Sequence, residues 1–333
     1  MSRHPAGTRD VIVIGCSAGG VEALPKLLQP LPADLPASIC VVQHLSATQK
    51  PYLVDILRRT CLMPVAWAEQ GERLVRSRVY VAPPDTHLLF NDDHLRLTSG
   101  PRENHARPSI DKLFRSAAAE HGARVIAVLL TGMLDDGVAG LRLIQQAGGL
   151  AIVQDPEDAE FPELPSRALI ATAPERVLPL GAIPEALVTL CSQPRGLSHV
   201  SNALSVEAEI DRVGPVAPAT LEALGPQSPI ACPDCNGPTW LVGDELERRY
   251  RCYLGHVNSA RELLARESLQ VEAALWSAVR ALTERAVTLE TLAADSDKTG
   301  HSGAADLYAQ RARETRTQAE LARKFLLDVV KPT

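Results

Sequence analysis

The sequence predicts an α/β fold: a doubly wound, mostly parallel sheet, followed by a small zinc-ribbon-like unit and an antiparallel α-helical hairpin. Three observations predict it. Short apolar runs alternate with amphipathic stretches over residues 10–193, the rhythm of parallel strands covered by helices. Three cysteines and a histidine cluster over residues 232–256 at the spacing of two metal knuckles. Beyond them, apolar residues recur at steps of three and four along two long stretches. A length of 333 residues suits roughly two domains at ~150 residues each.

The elements follow in order. Asp10–Gly15 is a short apolar run closed by glycine, a buried parallel strand. Residues 38–43, 78–82, 125–130 and 150–154 have the same character. Helical stretches lie near 20–29, 49–60, 109–121, 137–147 and 181–192, with Ser109 placed to cap the third. Residues 87–98 form a small hairpin turning at Asn91-Asp92-Asp93, and His87 and His94 read as ordinary residues of it. These elements make one domain over 1–193. From 194 to 229, Pro194, Gly196, Pro215, Pro218, Gly225, Pro226 and Pro229 punctuate a linker with a short helix near 203–212. Residues 230–257 are the ribbon, with strand-like Trp240–Val242 and Arg249–Arg251 between the knuckles. Residues 258–333 are the hairpin. Ser259 and Glu262 form a capping box opening its first helix, whose seam runs Leu269, Ala273, Trp276, Val279, Leu282, Ala286 and Leu289. The second seam runs from Ala305 through Tyr308, Ala312, Thr315, Ala319, Ala322 and Leu326 to Val329, after a connection marked by Gly300 and Gly303.

Composition excludes several classes. With 45% apolar and 22% charged residues the chain is neither mainly disordered, collagenous nor a disulfide-dense mini-protein. A net charge of −6 and 4% aromatics argue against nucleic acid as a partner. No apolar run reaches the ~20 residues of a membrane span, and the first ten residues carry no apolar signal core. The expectation is a cytoplasmic protein without membrane insertion. Cys16, Cys40, Cys61 and Cys191 lie scattered among apolar neighbours, as reduced core thiols do.

Three strand ends carry candidate chemistry. Gly15–Gly20 follows the first strand and precedes a helix. It reads as a phosphate-cradling loop, as a nucleophile elbow presenting Ser17, or as a plain strand-turn-helix loop. The glycine register and the absence of an acid after the second strand disfavour a dinucleotide site. His44 ends the second strand, on the same rim as Ser17. Thr131–Gly137 follows the 125–130 strand and holds two acids, Asp135 and Asp136, at a helix start. One caps the helix; the other orients the histidine, and amides of the 131–134 turn supply an oxyanion hole. The order Ser…His…Asp is not that of ordinary lipases and esterases.

Five stretches carry a resemblance: IGCSAGGVEAL (14–24), VVQHLS (41–46), APPDTHLLF (82–90), GPRENHARPSIDKLF (100–114) and LLTGMLDDGVAG (129–140). Residues 10–192 resemble the catalytic domain of the chemotaxis protein-glutamate methylesterases, the CheB type. The resemblance implies that family's sheet fold, hydrolysis of glutamyl methyl esters on chemoreceptors, and deamidation of certain receptor glutamines. It implies a triad of Ser17, His44 and Asp136, the Met133 amide at the oxyanion, and no cofactor for catalysis. Asp135 is then left as the cap. Implied partners are methylated chemoreceptor cytoplasmic helices and a methyltransferase or a separate receiver or kinase protein. Arg102, Arg107 and Arg167 are candidates to meet acidic receptor helices, or are solvated surface charge; the motif places His105 and Arg107 at the rim. Ala18 stands where many members carry a small hydroxyl residue. The family's N-terminal receiver domain is expected to be missing, because the catalytic strand begins at residue 10. Activity is then constitutive, or controlled by a separate chain or by the C-terminal region.

Cys232, Cys235, Cys252 and His256 give a C-x₂-C…C-x₃-H pattern suited to tetrahedral zinc, which would stabilise a unit too small to hold a core of its own. A metal-free ribbon of reduced thiols is the plain alternative. The whole extension resembles one found on receiver-less CheB-like proteins, and its hairpin is expected to dock a partner, a second copy of the chain as a homodimer, or the catalytic domain. Two other functions compete with the methylesterase: a degenerate or repurposed domain acting as a signalling adaptor, and an esterase for another substrate. Intact Ser17, His44 and Asp136 favour an enzyme.

Overall fold

The computed structural model describes residues 7–45 and 52–329. Ser46, and residues 49–51 of the helix expected from 49, lie outside the described residues, as do the side chains of Leu269 and Val329. The chain divides into two compact units, Met1–Glu262 and Leu263–Thr333.

The first unit opens with β1 (Val11–Cys16), α1 (Gly20–Leu28), β2 (Ser38–Gln43), α2 (Leu53–Thr60), β3 (Val65–Trp67) and β4 (Arg78–Val81). The hairpin β5 (His87–Asn91) and β6 (His94–Thr98) leads to α3 (Ile110–His121). Then come β7 (Val125–Leu129), α4 (Val138–Gln146), β8 (Leu150–Gln154), α5 (Glu163–Ala171), β9 (Arg176–Leu178) and α6 (Ile183–Ser192). Seven strands make one parallel sheet in the order β3-β4-β2-β1-β7-β8-β9. Alternate side chains of β1 divide between its faces. Ile12 and Ile14 pack in a core with Leu24, Leu27, Leu57 and Leu187, from α1, α2 and α6. Val11 and Val13 pack in a second core with Leu113, Leu141 and Leu164, from α3, α4 and α5. The sheet is thus covered on both sides, as its near-continuous apolar strands require. All five expected sheet strands and all five expected helices are present. The edge strands β3 and β9 and helix α5 are additions to that expectation.

Residues 194–229 hold more structure than a linker suggests. Helix α7 (Asn202–Val213) packs on α3 and buries Leu204 in the sheet's second core. Short α8 (Pro218–Glu222) joins it around a small core of Ile210, Leu221 and Trp240. The ribbon is a four-stranded antiparallel sheet, β10 (Gln227–Ala231), β11 (Pro238–Val242), β12 (Arg249–Cys252) and β13 (Val257–Ser259). It is joined to α3 and α7 through buried charge. The Arg115 guanidinium pairs with Glu103, and its Nε lies 2.6 Å from Asp211. Arg251 of β12 reaches Asp211 at 3.1 Å, and Arg249 reaches Glu207 at 2.9 Å. Burial alone would raise the Asp211 carboxyl, but Arg115, Arg251 and Lys112 hold it far below the ordinary carboxylate range.

Helix α9 (Ala260–Lys298) begins at the expected capping residue: Glu262 N–H donates to Ser259 Oγ at 3.2 Å. Within the second unit, the rest of α9 is joined to α10 (Ser302–Val329) by a turn at Gly300, and Arg316 Nε lies 2.5 Å from Glu290. The α10 seam is buried at Ala305, Ala312, Thr315, Ala319 and Leu326. The α9 seam is buried at Ala286, whereas Trp276 stays 48% exposed. One facing helix covers only a narrow stripe, which leaves the edge of a broad side chain in solvent.

Candidate active site

The three strand ends converge as their sequence positions require. Ser17 follows β1, His44 follows β2 and Asp136 lies on the loop after β7, all at the carboxyl rim of neighbouring parallel strands. Ser17 Oγ and His44 Nδ1 are 3.0 Å apart, and His44 Nε2 and Asp136 Oδ2 are 2.8 Å apart. The ring faces the serine with Nδ1, the reverse of the trypsin-like arrangement, in which Nε2 meets the hydroxyl. The tautomer consistent with both contacts carries its proton on Nε2, donates it to Asp136, and leaves the Nδ1 lone pair to the Ser17 hydroxyl.

The elbow at Ser17 depends on close approach. Gly20 lies so near Gln43 that a Cβ would stand 1.9 Å from Gln43 Oε1. The missing side chain at Gly20 leaves room for Gln43, whose Nε2 donates to the Ser17 carbonyl at 2.8 Å and to the His44 carbonyl at 3.0 Å. One buried amide therefore fixes the backbone of both residues. Gly137, at φ 105, permits the turn that carries Asp136 towards α3, where a Cβ would meet Ile110 at 2.6 Å.

Asp136 is 3% exposed and sits at the N-terminus of α3. It accepts from Ile110 N–H at 2.7 Å, Ser109 Oγ at 2.9 Å, and Asp111 N–H and Asn104 Nδ2, both at 3.3 Å. Burial alone would raise its carboxyl, but the hydrogen bond and charge of His44, with the Ile110 and Ser109 donors, hold it below the ordinary range. Asp111, one residue into the helix, is pushed well above that range by burial, with Asp136 and Glu103 adding to the effect. Ser109 caps α3 as expected, accepting from Lys112 N–H at 3.3 Å while donating to Asp136. Asp135 does not cap α4. The N-cap there is Gly137, and Asp135 Oδ1 instead accepts from Ser259 Oγ at 3.0 Å. His87 lies in β5 and His94 in β6, as expected. His87 is fully buried, accepts from Ser109 N–H at 3.2 Å and spans to the Pro101 carbonyl at 3.0 Å. Burial, then the Lys112 charge, holds its pKa well below the ordinary histidine value, so the ring is neutral.

Above the three residues lies a cleft of about 390 Å³, whose lining includes Ser17, His44, His105, Met133 and Glu262. In the turn that borders it, Thr131 N–H is committed to Gln154 Oε1 and Gly132 N–H to the Phe161 carbonyl. The Met133 and Leu134 amides make no hydrogen bond among the described residues. Arg102 and Arg107 also line the cleft, both within 3.0 Å of Asp85. Arg167 pairs loosely with Glu163 at 4.0 Å, away from the cleft lining.

The CheB methylesterase family matches residues 12–187, more than half of the chain. The chain belongs to the CheB methylesterase family. A putative protein-glutamate methylesterase/protein-glutamine glutaminase of Leptospira interrogans is 41% identical over 182 residues, 54% of this chain and 94% of that one. A protein-glutamate methylesterase/protein-glutamine glutaminase of Anaeromyxobacter dehalogenans is 40% identical over 178 residues, 54% of this chain but only 52% of that one. The CheB methylesterase catalytic domain of Thermotoga maritima superposes with a TM-score of 0.53 at 33% identity, covering 55% of this chain and 99% of that one. The shared part is the sheet domain; the family match ends at residue 187, before α7, the ribbon and the second unit.

Sequence reasoning placed Ser17, His44, Asp136 and Met133 at one rim, and the structure brings them into one cleft. It missed Gln43 and Asn104. The signal for Gln43 was its place at a strand end directly before His44. Asn104 lay unread in the GPRENHARPS stretch.

Cys232, Cys235, Cys252 and His256 also converge, with donor atoms all within 4.8 Å of one another. Sulfurs of Cys235 and Cys252 are 3.7 Å apart, and Cys252 Sγ lies 3.5 Å from His256 Nδ1. A tetrahedron with bonds of about 2.3 Å to sulfur has sulfur–sulfur edges of about 3.8 Å, so this donor set fits zinc.

Proposed function

We propose that this chain is a serine hydrolase that demethylates γ-glutamyl methyl esters on chemoreceptors, with glutamine deamidation as a second reaction of the same site. The observation that carries this reading is the unbroken chain from Ser17 Oγ through His44 to buried Asp136, at 3.0 and 2.8 Å. Two curated relatives at about 40% identity bear both activities in their names.

In the proposed mechanism His44 Nδ1 takes the Ser17 proton as Oγ attacks the ester carbonyl. Asp136 holds the imidazole in place and stabilises its charged form. The Met133 amide donates to the oxyanion. Collapse expels methoxide, which takes the proton from His44 and leaves as methanol. Water, deprotonated by His44, then attacks the acyl-serine, and glutamate departs as Ser17 regains its proton. With a glutamine side chain the first leaving group is ammonia. Catalysis at this site needs no cofactor.

Arg102 and Arg107, which line the cleft, suit an acidic receptor helix, and demethylation of receptor cytoplasmic helices would be a cytoplasmic reaction. A methyltransferase and a separate receiver or kinase protein are the complementary partners of such a system. The second unit serves as a docking element for a partner or for a second copy of the chain. Cys232, Cys235, Cys252 and His256 hold a structural zinc; all four positions are then filled by protein, and no catalytic step runs through it. The test is methanol release from a methylated receptor. Wild type releases it and Ser17→Ala does not, while keeping its fold; equal release by the two proteins rejects the reading.

A further inference from the structure

The ribbon and the catalytic acid meet at one side chain, Asn104, and this contact rests on residues outside the family match. Asn104 is 6% exposed and sits at φ 47, a conformation asparagine tolerates better than most residues. Its backbone N–H donates to the Val257 carbonyl at 2.8 Å. Its Oδ1 accepts from Ser259 N–H at 2.9 Å. Both partners lie on β13, which begins directly after His256 of the Cys/His cluster. The other end of the amide points into the active site: Nδ2 donates to Asp111 Oδ2 at 2.9 Å and to Asp136 Oδ1 at 3.3 Å. The orientation is unambiguous, because carboxylates need the donor side and an N–H needs the acceptor side. A second link runs in parallel from Ser259 Oγ to Asp135, the neighbour of Asp136. A third runs from Arg251 of β12 through Asp211 to Arg115 of α3, the helix whose first amides hold Asp136.

We propose that Asn104 is a positioning residue through which the Cys/His ribbon sets the geometry of Asp136, so that esterase competence depends on a ribbon held in its native form. The inference rests on the triad reading given above. Physically, Asn104 does two things. It supplies a neutral donor between the carboxyl groups of Asp111 and Asp136, and it ties them to a strand whose position the four-residue cluster fixes. A carboxylate that loses a donor is less well stabilised in its charged form, so activity that depends on ionised Asp136 fades at a higher pH.

The test compares wild type, Asn104→Ala, Asn104→Asp and Cys232→Ser on a γ-glutamyl methyl ester peptide, with bound metal and thermal melting followed alongside. Asn104→Ala is expected to lower kcat by about 10–100-fold. KM should stay within about threefold, and the acid limb of the kcat profile should move to higher pH. Asn104→Asp keeps the size of the side chain but turns a third carboxylate towards Asp111 and Asp136, so it should be worse than Asn104→Ala. A purely packing role predicts the opposite order. Cys232→Ser should lose metal and show the same kcat fall with KM kept. Wild-type kcat and acid limb in Asn104→Ala overturn the inference, as does a kcat loss with the limb unmoved. Ser17→Ala, run in parallel, separates the two levels: if it stays active the triad reading itself fails, and if it is dead the Asn104 variants and Cys232→Ser decide the proposal, a Cys232→Ser protein that loses metal but keeps wild-type kcat overturning it.

Discussion

At the residue scale, what the cleft needs is a serine hydroxyl, a base, and an acid that stays ionised. Asp136 stays ionised because four donors besides His44 converge on a carboxylate that burial would otherwise neutralise. Removing it in Asp136→Ala should cut kcat by about 10²–10⁴-fold, measured as methanol release. The pH dependence follows from the direction of its shift. Its folded pKa is depressed below 3.8, so its stabilising contribution is present above that value and is lost as pH falls through the lower folded value. Melting curves of wild type and Asp136→Ala should therefore converge as the pH falls below about 4. Gln43 acts on backbone rather than on substrate. Gly20→Ala, which would drive a Cβ into Gln43 Oε1, should lower kcat while the nucleophile remains present.

At the element scale, α3 is the hub. Its first amides hold Asp136, its Ser109 cap donates to the same carboxylate, and its buried Arg115 ties α7 and the loop before it. Arg115 is fully buried, so Arg115→Met would strand Glu103 and Asp211 without their main partner. Breaking a buried pair this way should cost about 3–5 kcal/mol in denaturant unfolding. The ribbon carries a second testable charge. Burial raises the Glu247 carboxyl to about 7, and its Oε2 is buried without a hydrogen-bond partner among the described residues. A raised carboxyl favours the protonated folded form: the group's full contribution is present below about pH 4.5 and is lost as pH rises through about 7. Glu247→Gln should therefore be more stable than wild type above pH 7 in denaturant unfolding, by on the order of 3 kcal/mol at about 1.4 kcal/mol per pKa unit, with no advantage below pH 4.5. Periodicity made the central strands and most helices of this scaffold legible. It passed over β3 and β9, each only 3 residues long at a sheet edge, because so short a run carries no pattern.

At the scale of the whole molecule, the sequence divides at composition changes, whereas the structure divides at Glu262. The proline-rich stretch reads as a linker because its loops dominate the composition. The buried charges that fasten α7 and the ribbon to α3 come from residues as far apart as Arg115 and Arg251, and no local window joins them. The same reason separates the legible from the hidden parts of the site. Ser17 and His44 stand at strand ends and Asp136 lies on the loop that follows one, places the fold class alone predicts. Asn104 is a coil residue whose four partners lie between 7 and 155 positions away. The proposed zinc site predicts close to one metal per chain, and chelation should lower the melting temperature of the first unit. Above all, the proposed mechanism routes ester cleavage through a covalent bond to Ser17. Rapid acid quench of the enzyme turning over a γ-glutamyl methyl ester peptide, followed by mass spectrometry of the digest, looks for that bond itself. An acyl adduct on the peptide bearing Ser17, absent in Ser17→Ala, is the expected outcome; turnover with no adduct there, or an adduct on another residue, would mean that Ser17 is not the nucleophile.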